Sequence, residues 1–148
     1  MTDAQAAQLL DRALEIDHAI AVVVGAHHHA EIGDRPTAHG LARELTPLAR
    51  SIGGECVVLS DLWYLNAPLW RSRPTVSVGG PEVNALTASL ADRLPSVHVV
   101  DDELMIQMDL DGTEPLAACW GVTPSRTAHA VAVFCEKYLP TFADRLSV

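Results

Sequence analysis

Short apolar strands alternate with amphipathic helices along this chain, and this alternation restricts it to the α/β folds. The segment 19–24 reads AIAVVV and is apolar at every position, which is typical of a strand covered on both faces. Further strands are predicted at 56–59, 75–78, 97–100, 104–109 and 116–120. We therefore expect a sheet whose strands are mostly connected through helices.

Four amphipathic helices are predicted from apolar side chains that recur at helical spacing. Their inward residues are Leu9, Leu10, Ala13 and Ile16; Leu41, Leu45, Leu48 and Ile52; Val83, Leu86, Leu90 and Leu94; and Ala128, Val131, Cys135 and Tyr138. Pro47 lies inside the second helix and predicts a kink or a break there, because proline lacks the N–H that the helix uses.

The order of the elements predicts a mainly parallel sheet of the Rossmann or flavodoxin type, in a three-layer sandwich with one antiparallel hairpin strand. A crossover helix joins parallel strands, whereas a tight turn reverses the chain. The turns at 101–103 and at Asp111-Gly112 are two reversals. The last strand should therefore run in the same direction as the early ones.

The carboxyl edge of this sheet is the expected functional site, because open α/β sheets bind their ligands there. Asp61, Gly80, Asp101 and Gly121 follow or end predicted strands that point to this edge. We predict that these four residues lie along it. Gly112 should lie at the opposite edge.

The length and composition predict a single α/β domain over residues 1–148, since 49% of the residues are hydrophobic. The net charge of −9 repels nucleic-acid phosphates and anionic membranes, so neither is expected as a partner. The first residues lack a signal-peptide pattern and no apolar run is long enough to span a membrane, which predicts a cytoplasmic protein. Cys56, Cys119 and Cys135 lie in apolar runs and are predicted to be buried thiols.

Two glycine turns, VGGP at 78–81 and WGVTP at 120–124, are predicted to close strands and open helices. Backbone N–H groups at a helix start attract anions, and glycine allows a ligand to approach closely. The candidate ligand-binding residues around these turns are Gly79, Gly80, Asn84, Gly121, Thr123, Ser125 and Arg126. We expect a small polar or anionic ligand here, although Glu82 disfavours an anion at the first turn and ordinary helix capping is the alternative.

Asp61 directly follows Ser60 at the end of a buried strand, where α/β proteins often carry functional carboxylates. It is the candidate catalytic residue, as a general base or a metal ligand. The alternative is that it caps its own turn. In the catalytic interpretation, the turns at Gly80 and Gly121 would supply backbone donors to an oxyanion.

The histidine triplet His27, His28 and His29 gives candidate metal ligands, together with Asp61 or Asp101. The residues that follow the triplet, Glu31, Asp34 and His39, are also of types found in metal sites. A metal-assisted hydrolase that uses Asp61 and this loop is therefore a second functional hypothesis. Adjacent histidines are expected to point in different directions, so a solvated polar loop is the alternative. The chain has no dinucleotide-binding fingerprint, phosphate-binding loop or HExxH motif, so the sequence does not identify a cofactor.

The segment 63–66 places Trp63 and Tyr64 in a predicted loop, with Trp70 close behind. Such aromatic rings can stack on a ligand, cover the core or form a subunit interface. Because this segment would expose much apolar surface in a monomer, a homo-oligomeric interaction protein is the third hypothesis.

The segments SDLWYLN at 60–66 and SVGGPEVNA at 77–85 resemble the signatures of an uncharacterised bacterial family of small α/β proteins. More remotely, residues 79–84 and 126–128 are similar to segments of cell-wall-binding repeats and surface-layer domains. That likeness implies a three-layer α/β fold and, in those modules, binding of anionic envelope polymers. This chain departs from them, since it lacks a signal peptide and a tandem repeat and Arg126 directly precedes Thr127. The remote likeness therefore supports the fold more than the function.

Overall fold

The computed structural model describes residues 2–5, 18–110 and 114–146. Within them, one sheet contains the strands β1 (Ile20–Val24), β2 (Cys56–Ser60), β3 (Thr75–Val78), β4 (Ser96–Val100), β5 (Leu104–Met108) and β6 (Leu116–Gly121). The helices are α1 (His28–Gly33), α2 (Arg35–Ser51), α3 (Asp61–Leu65), α4 (Ala85–Leu90), α5 (Pro124–Val133) and α6 (Leu139–Asp144), with a 3-10 helix at Pro68–Ser72 and a π-helix at Phe134–Tyr138. None of these helices combines the length and the apolar character needed to cross a membrane. The predicted helix with Leu9, Leu10, Ala13 and Ile16 lies outside the described residues, as does Gly112.

The sheet is mixed, and β5 is the strand that runs against the others. The strand order is β2-β1-β3-β6-β5-β4. Strands β2, β1, β3 and β6 pair in parallel, whereas β5 pairs antiparallel with both β6 and β4. The predicted α/β class, with a parallel part and a reversed hairpin strand, is confirmed. Strand β1 lies between two neighbours and is buried at every position, as its sequence indicates.

The register aligns the last residues of the parallel strands at one edge of the sheet. The prediction that Asp61, Gly80, Asp101 and Gly121 share this edge is confirmed. The matching prediction for Gly112 falls outside the described residues.

Side chains of β1 alternate between two hydrophobic cores, because successive residues of a strand point to opposite faces. Val22 and Val24 belong to the first core, which also contains side chains of α2 and α5. Ala21 and Val23 belong to the second core, together with side chains of α3, α4 and the 3-10 helix. Helices therefore pack on both faces of the sheet.

Helix α2 continues through Pro47 to Ser51. A break at Pro47 is therefore wrong, because burial of the inward face outweighs the loss of one N–H bond, whereas the alternative of a kink stays a prediction. On that face Leu41 and Leu45 are buried, as predicted.

Helix α4 begins later than the glycine turn at 78–81 suggests. The N–H of Asn84 donates to the Gly80 carbonyl (2.9 Å), which closes a separate turn. The side-chain oxygen of Asn84 then caps α4 by accepting from two N–H groups of the first helical turn. The prediction that the glycine turn opens directly into a helix is wrong, although Leu86 and Leu90 are buried as predicted.

Helix α5 begins as predicted, with Thr123 as the cap and Pro124 at the first position. Val131 is buried as predicted, whereas the prediction is wrong for Ala128, which is exposed. Thr127 is buried instead, and its hydroxyl accepts a hydrogen bond from the N–H of Gly121 (3.0 Å). This bond orients the helix towards the end of β6.

The three cysteines are free thiols, as predicted. Cys119 is buried, whereas Cys56 and Cys135 are only half-buried, which corrects the prediction of complete burial. Burial raises the pKa of the Cys56 thiol to about 12 and also raises the pKa of Cys135. Neither thiol is therefore activated as a nucleophile near neutral pH.

Candidate functional site

A cleft of about 350 Å³ opens at the carboxyl edge of the sheet. From β1 the chain leads through α1 and α2 to β2, on one side of β1. From β3, on the other side of β1, the chain leads through α4 to β4 at the far end of the sheet. Ligands of open α/β sheets bind where neighbouring connections diverge in this way. The lining residues are His29, Ile32, Gly33, Asp34, Gly80, Glu82, Val83, Gly121, Val122, Thr123, Pro124 and Thr127.

Asp34 is the buried polar group of this cleft. Its side chain is 5% exposed, and its Oδ1 atom has no hydrogen-bond partner in the described part of the chain. Although Asp34 stands at the start of α2, its side chain makes no capping bond. Burial raises the pKa of this carboxyl above its ordinary value. A buried carboxyl without a donor is unfavourable, so a ligand with a hydrogen-bond donor would stabilise it.

Gly79 provides the space that the Asp34 carboxyl occupies. Its φ of +108° lies in the region that favours glycine. A Cβ atom at position 79 would lie 2.8 Å from Oδ2 of Asp34. The N–H of Gly79 donates to the carbonyl of Cys119 (3.0 Å), so this predicted ligand-binding residue contributes shape rather than a donor.

Apolar side chains form the rim of the cleft. Ile32 is 79% exposed and Val122 is 59% exposed, which is unusual for residues of this type. The lining contains the carboxylates of Asp34 and Glu82 and, among the described residues, neither lysine nor arginine. The cleft therefore combines an apolar rim with a polar interior of acidic character.

Asp61 connects three backbone segments. Its Oδ1 atom accepts hydrogen bonds from the N–H groups of Ala26 (3.0 Å) and Leu62 (2.7 Å), and Oδ2 accepts from the N–H of Ala85 (2.7 Å). These donors lie in the loop after β1 and in the first turns of α3 and α4. The side chain is also buried. The structure thus favours a structural acceptor, an extension of the capping alternative, over a general base or a metal ligand.

Three other predicted ligand-binding residues, Asn84, Gly121 and Thr123, have polar groups that are already hydrogen-bonded to other groups of the protein. The Asn84 side chain donates to carbonyls at the ends of β1 and β3 (3.3 and 2.9 Å). The Gly121 N–H donates to Thr127, and the Thr123 hydroxyl accepts from the backbone of α5. The proposal of an oxyanion donor is therefore wrong for Gly121, because its N–H already has an acceptor.

Ser125 and Arg126 are exposed and lie outside the lining of the cleft. The Arg126 guanidinium forms an ion pair with Glu103 at 2.8 Å. The carboxylate of Glu103 therefore offsets the positive charge of Arg126 beside the Gly121 turn. An anionic ligand loses its main source of attraction there.

The histidine rings His27, His28 and His29 form a cluster at the exposed start of α1, in which His27 stacks on both of the others and His28 is tilted against His29. Their ring centroids are 4.4, 5.1 and 4.2 Å apart, and one possible ligand atom from each lies within 4.8 Å of the others. The expectation that the rings point apart is wrong, because His27 caps the helix through its Nδ1 atom, which accepts from the N–H of His29 (3.2 Å). The charge that His29 carries when protonated is the main cause that lowers the pKa of His28. Within the described residues, neither Asp61 nor Asp101 joins this group of ligand atoms.

The predicted aromatic loop is helical. Trp63 and Tyr64 lie in α3, and Trp70 lies in the 3-10 helix. Tyr64 and Trp70 are buried in the second core, and the half-buried Trp63 ring meets Trp70 edge-on with centroids 6.1 Å apart. The structure therefore assigns Trp63 and Tyr64 to the core and its margin, away from the cleft lining.

Sequence reasoning missed Asp34 as the central polar residue of the cleft. An aspartate before Arg35-Pro36 at a helix start is ordinarily interpreted as a cap. The available signal was position, because Asp34 lies in the segment that follows the carboxyl end of the first predicted strand, 19–24. What the sequence could not indicate was that the carboxyl would be buried without a donor.

We compared the chain with protein-family models and with curated proteins. No family model and no curated protein matches it. The resemblance of segments 60–66 and 77–85 to an uncharacterised family of small α/β proteins stays a prediction.

Proposed function

We propose that the carboxyl-edge cleft binds a small polar molecule that has a hydrogen-bond donor and an apolar body. The unpartnered Oδ1 atom of buried Asp34 is the observation that carries this proposal. An amine or a hydroxyl group would donate to Asp34. The apolar body would lie against Ile32 and Val122, whose exposed side chains would then lose contact with water.

The sequence predicted a small polar or anionic ligand, and the charges around the cleft favour a ligand that is not an anion. Asp34 and Glu82 in the lining repel an anion. Arg126 is paired with Glu103, and the Gly121 N–H is already bonded. A cationic amine is therefore the favoured class of ligand.

Binding of butylamine tests this function. At pH 8 and constant ionic strength, we expect butylamine to shift the amide NMR signals of Gly80 and Gly121 saturably, and butanoate to have no such effect. Asp34→Asn should weaken butylamine binding about tenfold, since hydrogen bonds to charged groups contribute about 1.5–3 kcal/mol. Glu55→Gln removes an exposed carboxylate away from the cleft and should leave binding unchanged. Tighter binding of butanoate, or equal binding by both variants, would contradict the proposal.

Asp34 also predicts how stability depends on pH. The folded protein raises the pKa of this carboxyl, so it holds the proton more tightly than the unfolded chain does. Its contribution is therefore favourable in acid and is lost as the pH rises through the folded-state pKa. We expect Asp34→Asn to be more stable than the wild type at pH 7 and to lose that advantage towards pH 4. Urea denaturation at both pH values measures this, and an advantage that grows in acid would show the opposite sign.

Metal-assisted hydrolysis is a second candidate function, favoured by the histidine cluster. His29 also lines the cleft, so a metal held by the triplet would lie at its mouth. We expect untagged protein to bind zinc by calorimetry, and His27→Ala or His29→Ala to weaken binding about tenfold. His129→Ala, at an exposed position on α5, is the matched control. Equal zinc binding by all variants would leave the triplet as a solvated turn.

Three finer expectations accompany this proposal. Two cores on opposite faces of the sheet support a three-layer, Rossmann-like arrangement. The free thiols are compatible with a cytoplasmic location. Exposed Leu62 and Leu69 beside the aromatic helices support a homo-oligomer, which light scattering tests directly.

A further inference from the structure

A second cavity, of about 490 Å³, lies at the opposite edge of the sheet and shares no lining residue with the carboxyl-edge cleft. It is bounded by the segments that enter β3 and β6, by α4 and by the end of the 3-10 helix. Sequence analysis assigned no role to this edge. The residues here differ in charge from those of the cleft.

The rim of this amino-edge cavity is cationic. Arg71 and Arg93 lie in its lining with the carboxylate of Glu114, in a chain whose net charge is −9. The guanidinium of Arg93 approaches Glu114 only at 3.8 Å, and both side chains are largely exposed. Such a pair contributes little, so the guanidinium keeps donors for a ligand.

Arg71 and Arg93 line the same cavity. An Nη atom of Arg71 donates to the carbonyl of Leu65 (3.1 Å), which orients the arginine side chain. A guanidinium has five N–H donors, so this one bond leaves others that can donate to a ligand. Burial raises the pKa of Tyr64, and the charges of Arg71 and Arg93 act on it in the opposite direction. Tyr64 also lines the cavity, and its hydroxyl is hydrogen-bonded to that of Thr75 (3.0 Å).

The floor of the cavity is apolar. Leu86, Leu90 and Leu116 are buried residues of the second core that also line this cavity. An apolar floor below two guanidinium groups suits a ligand with two parts. A guanidinium group can donate two parallel hydrogen bonds to the oxygens of a carboxylate or phosphate, and the apolar floor favours a hydrocarbon body.

We propose that the amino-edge cavity binds a small organic oxyanion, whose carboxylate or phosphate contacts Arg71 and Arg93 and whose apolar body lies on the leucine floor. This site is independent of the cleft at Asp34. A protein with both sites would bind a cationic or neutral polar ligand at one edge of its sheet and an anionic ligand at the other.

Hexanoate and hexyl phosphate are the probes, titrated into ¹⁵N-labelled full-length protein at constant ionic strength. We expect saturable shifts of the amide signals of Ser72 and Ser89, which line the cavity, and little change at Gly80 in the cleft. Whichever head group binds more tightly identifies the class of oxyanion. 1-Hexanol, which lacks the charge, should bind at least about tenfold more weakly.

Arginine variants complete the test. Arg71→Gln and Arg93→Gln change exposed residues, so both proteins should fold, and each should weaken hexanoate binding about tenfold. Arg50→Gln, at the exposed end of α2, should bind like the wild type, as should Asp34→Asn. The proposal is overturned if neither anion binds saturably, if 1-hexanol binds as tightly as hexanoate, or if all three arginine variants bind equally.

Discussion

Asp61→Ala is expected to lower the free energy of unfolding by about 3 kcal/mol or more, since three hydrogen bonds to a carboxylate are lost and each contributes about 1.5–3 kcal/mol. The substitution removes the acceptor for the N–H groups of Ala26, Leu62 and Ala85 at once. These groups hold the loop after β1 and the starts of α3 and α4. Urea denaturation of the variant and the wild type measures the loss as a shift of the midpoint.

Two further variants make this result interpretable. Asp92→Ala removes a carboxylate from an exposed position and should change stability by less than about 0.5 kcal/mol. Asp61→Asn keeps one oxygen acceptor and should lose less stability than Asp61→Ala, which provides a measurement if the alanine variant does not fold. If Asp61 were a catalytic base without a structural role, Asp61→Ala would be as stable as Asp92→Ala.

Trp70→Ala is expected to cost about 3–5 kcal/mol, as is usual when a buried tryptophan is truncated. Trp70 is among the largest fully buried side chains and packs in the second core beside Trp63. The loss should appear as a lower urea midpoint. Light scattering of the folded fraction should show the same mass as the wild type, because this ring faces the core rather than a partner.

Trp63→Ala and Trp70→Phe are the comparisons for this prediction. Trp63 is only half-buried, so its truncation should cost less than that of Trp70. Trp70→Phe keeps a ring and removes an indole N–H that has no partner among the described residues, so it should also cost less. A Trp70→Ala protein of wild-type stability but lower mass would instead assign Trp70 to a subunit interface.

The strands and their directions could be predicted because they depend on local patterns. The continuous apolar run of β1 and the tight turn between β4 and β5 are each contained in a few residues. The start of α5 is equally local, since Thr123 caps it with its own side chain and Pro124 follows. These features placed Asp61, Gly80, Asp101 and Gly121 at one edge before any contact was known.

The roles of the polar side chains at that edge depended on partners that are distant in sequence. Asp61 accepts hydrogen bonds from the N–H groups of Ala26 and Ala85, which are 35 and 24 residues away in the sequence. From the sequence, Asp61 was the candidate functional carboxylate, and Asp34 was considered only as a residue type of a metal site after the histidine triplet. The structure gives Asp61 three donors and leaves Oδ1 of Asp34 without one.

The sequence by itself thus determined the class of fold and the edge of the sheet where the cleft lies. Only the tertiary structure decided which carboxylate has a buried oxygen without a hydrogen-bond donor, which aromatic rings belong to the core and which arginines line a common cavity. The physical reason is that periodicity and turn chemistry act between near neighbours. Burial and hydrogen-bond satisfaction, by contrast, are set by whichever distant backbone groups the packed helices bring to each side chain.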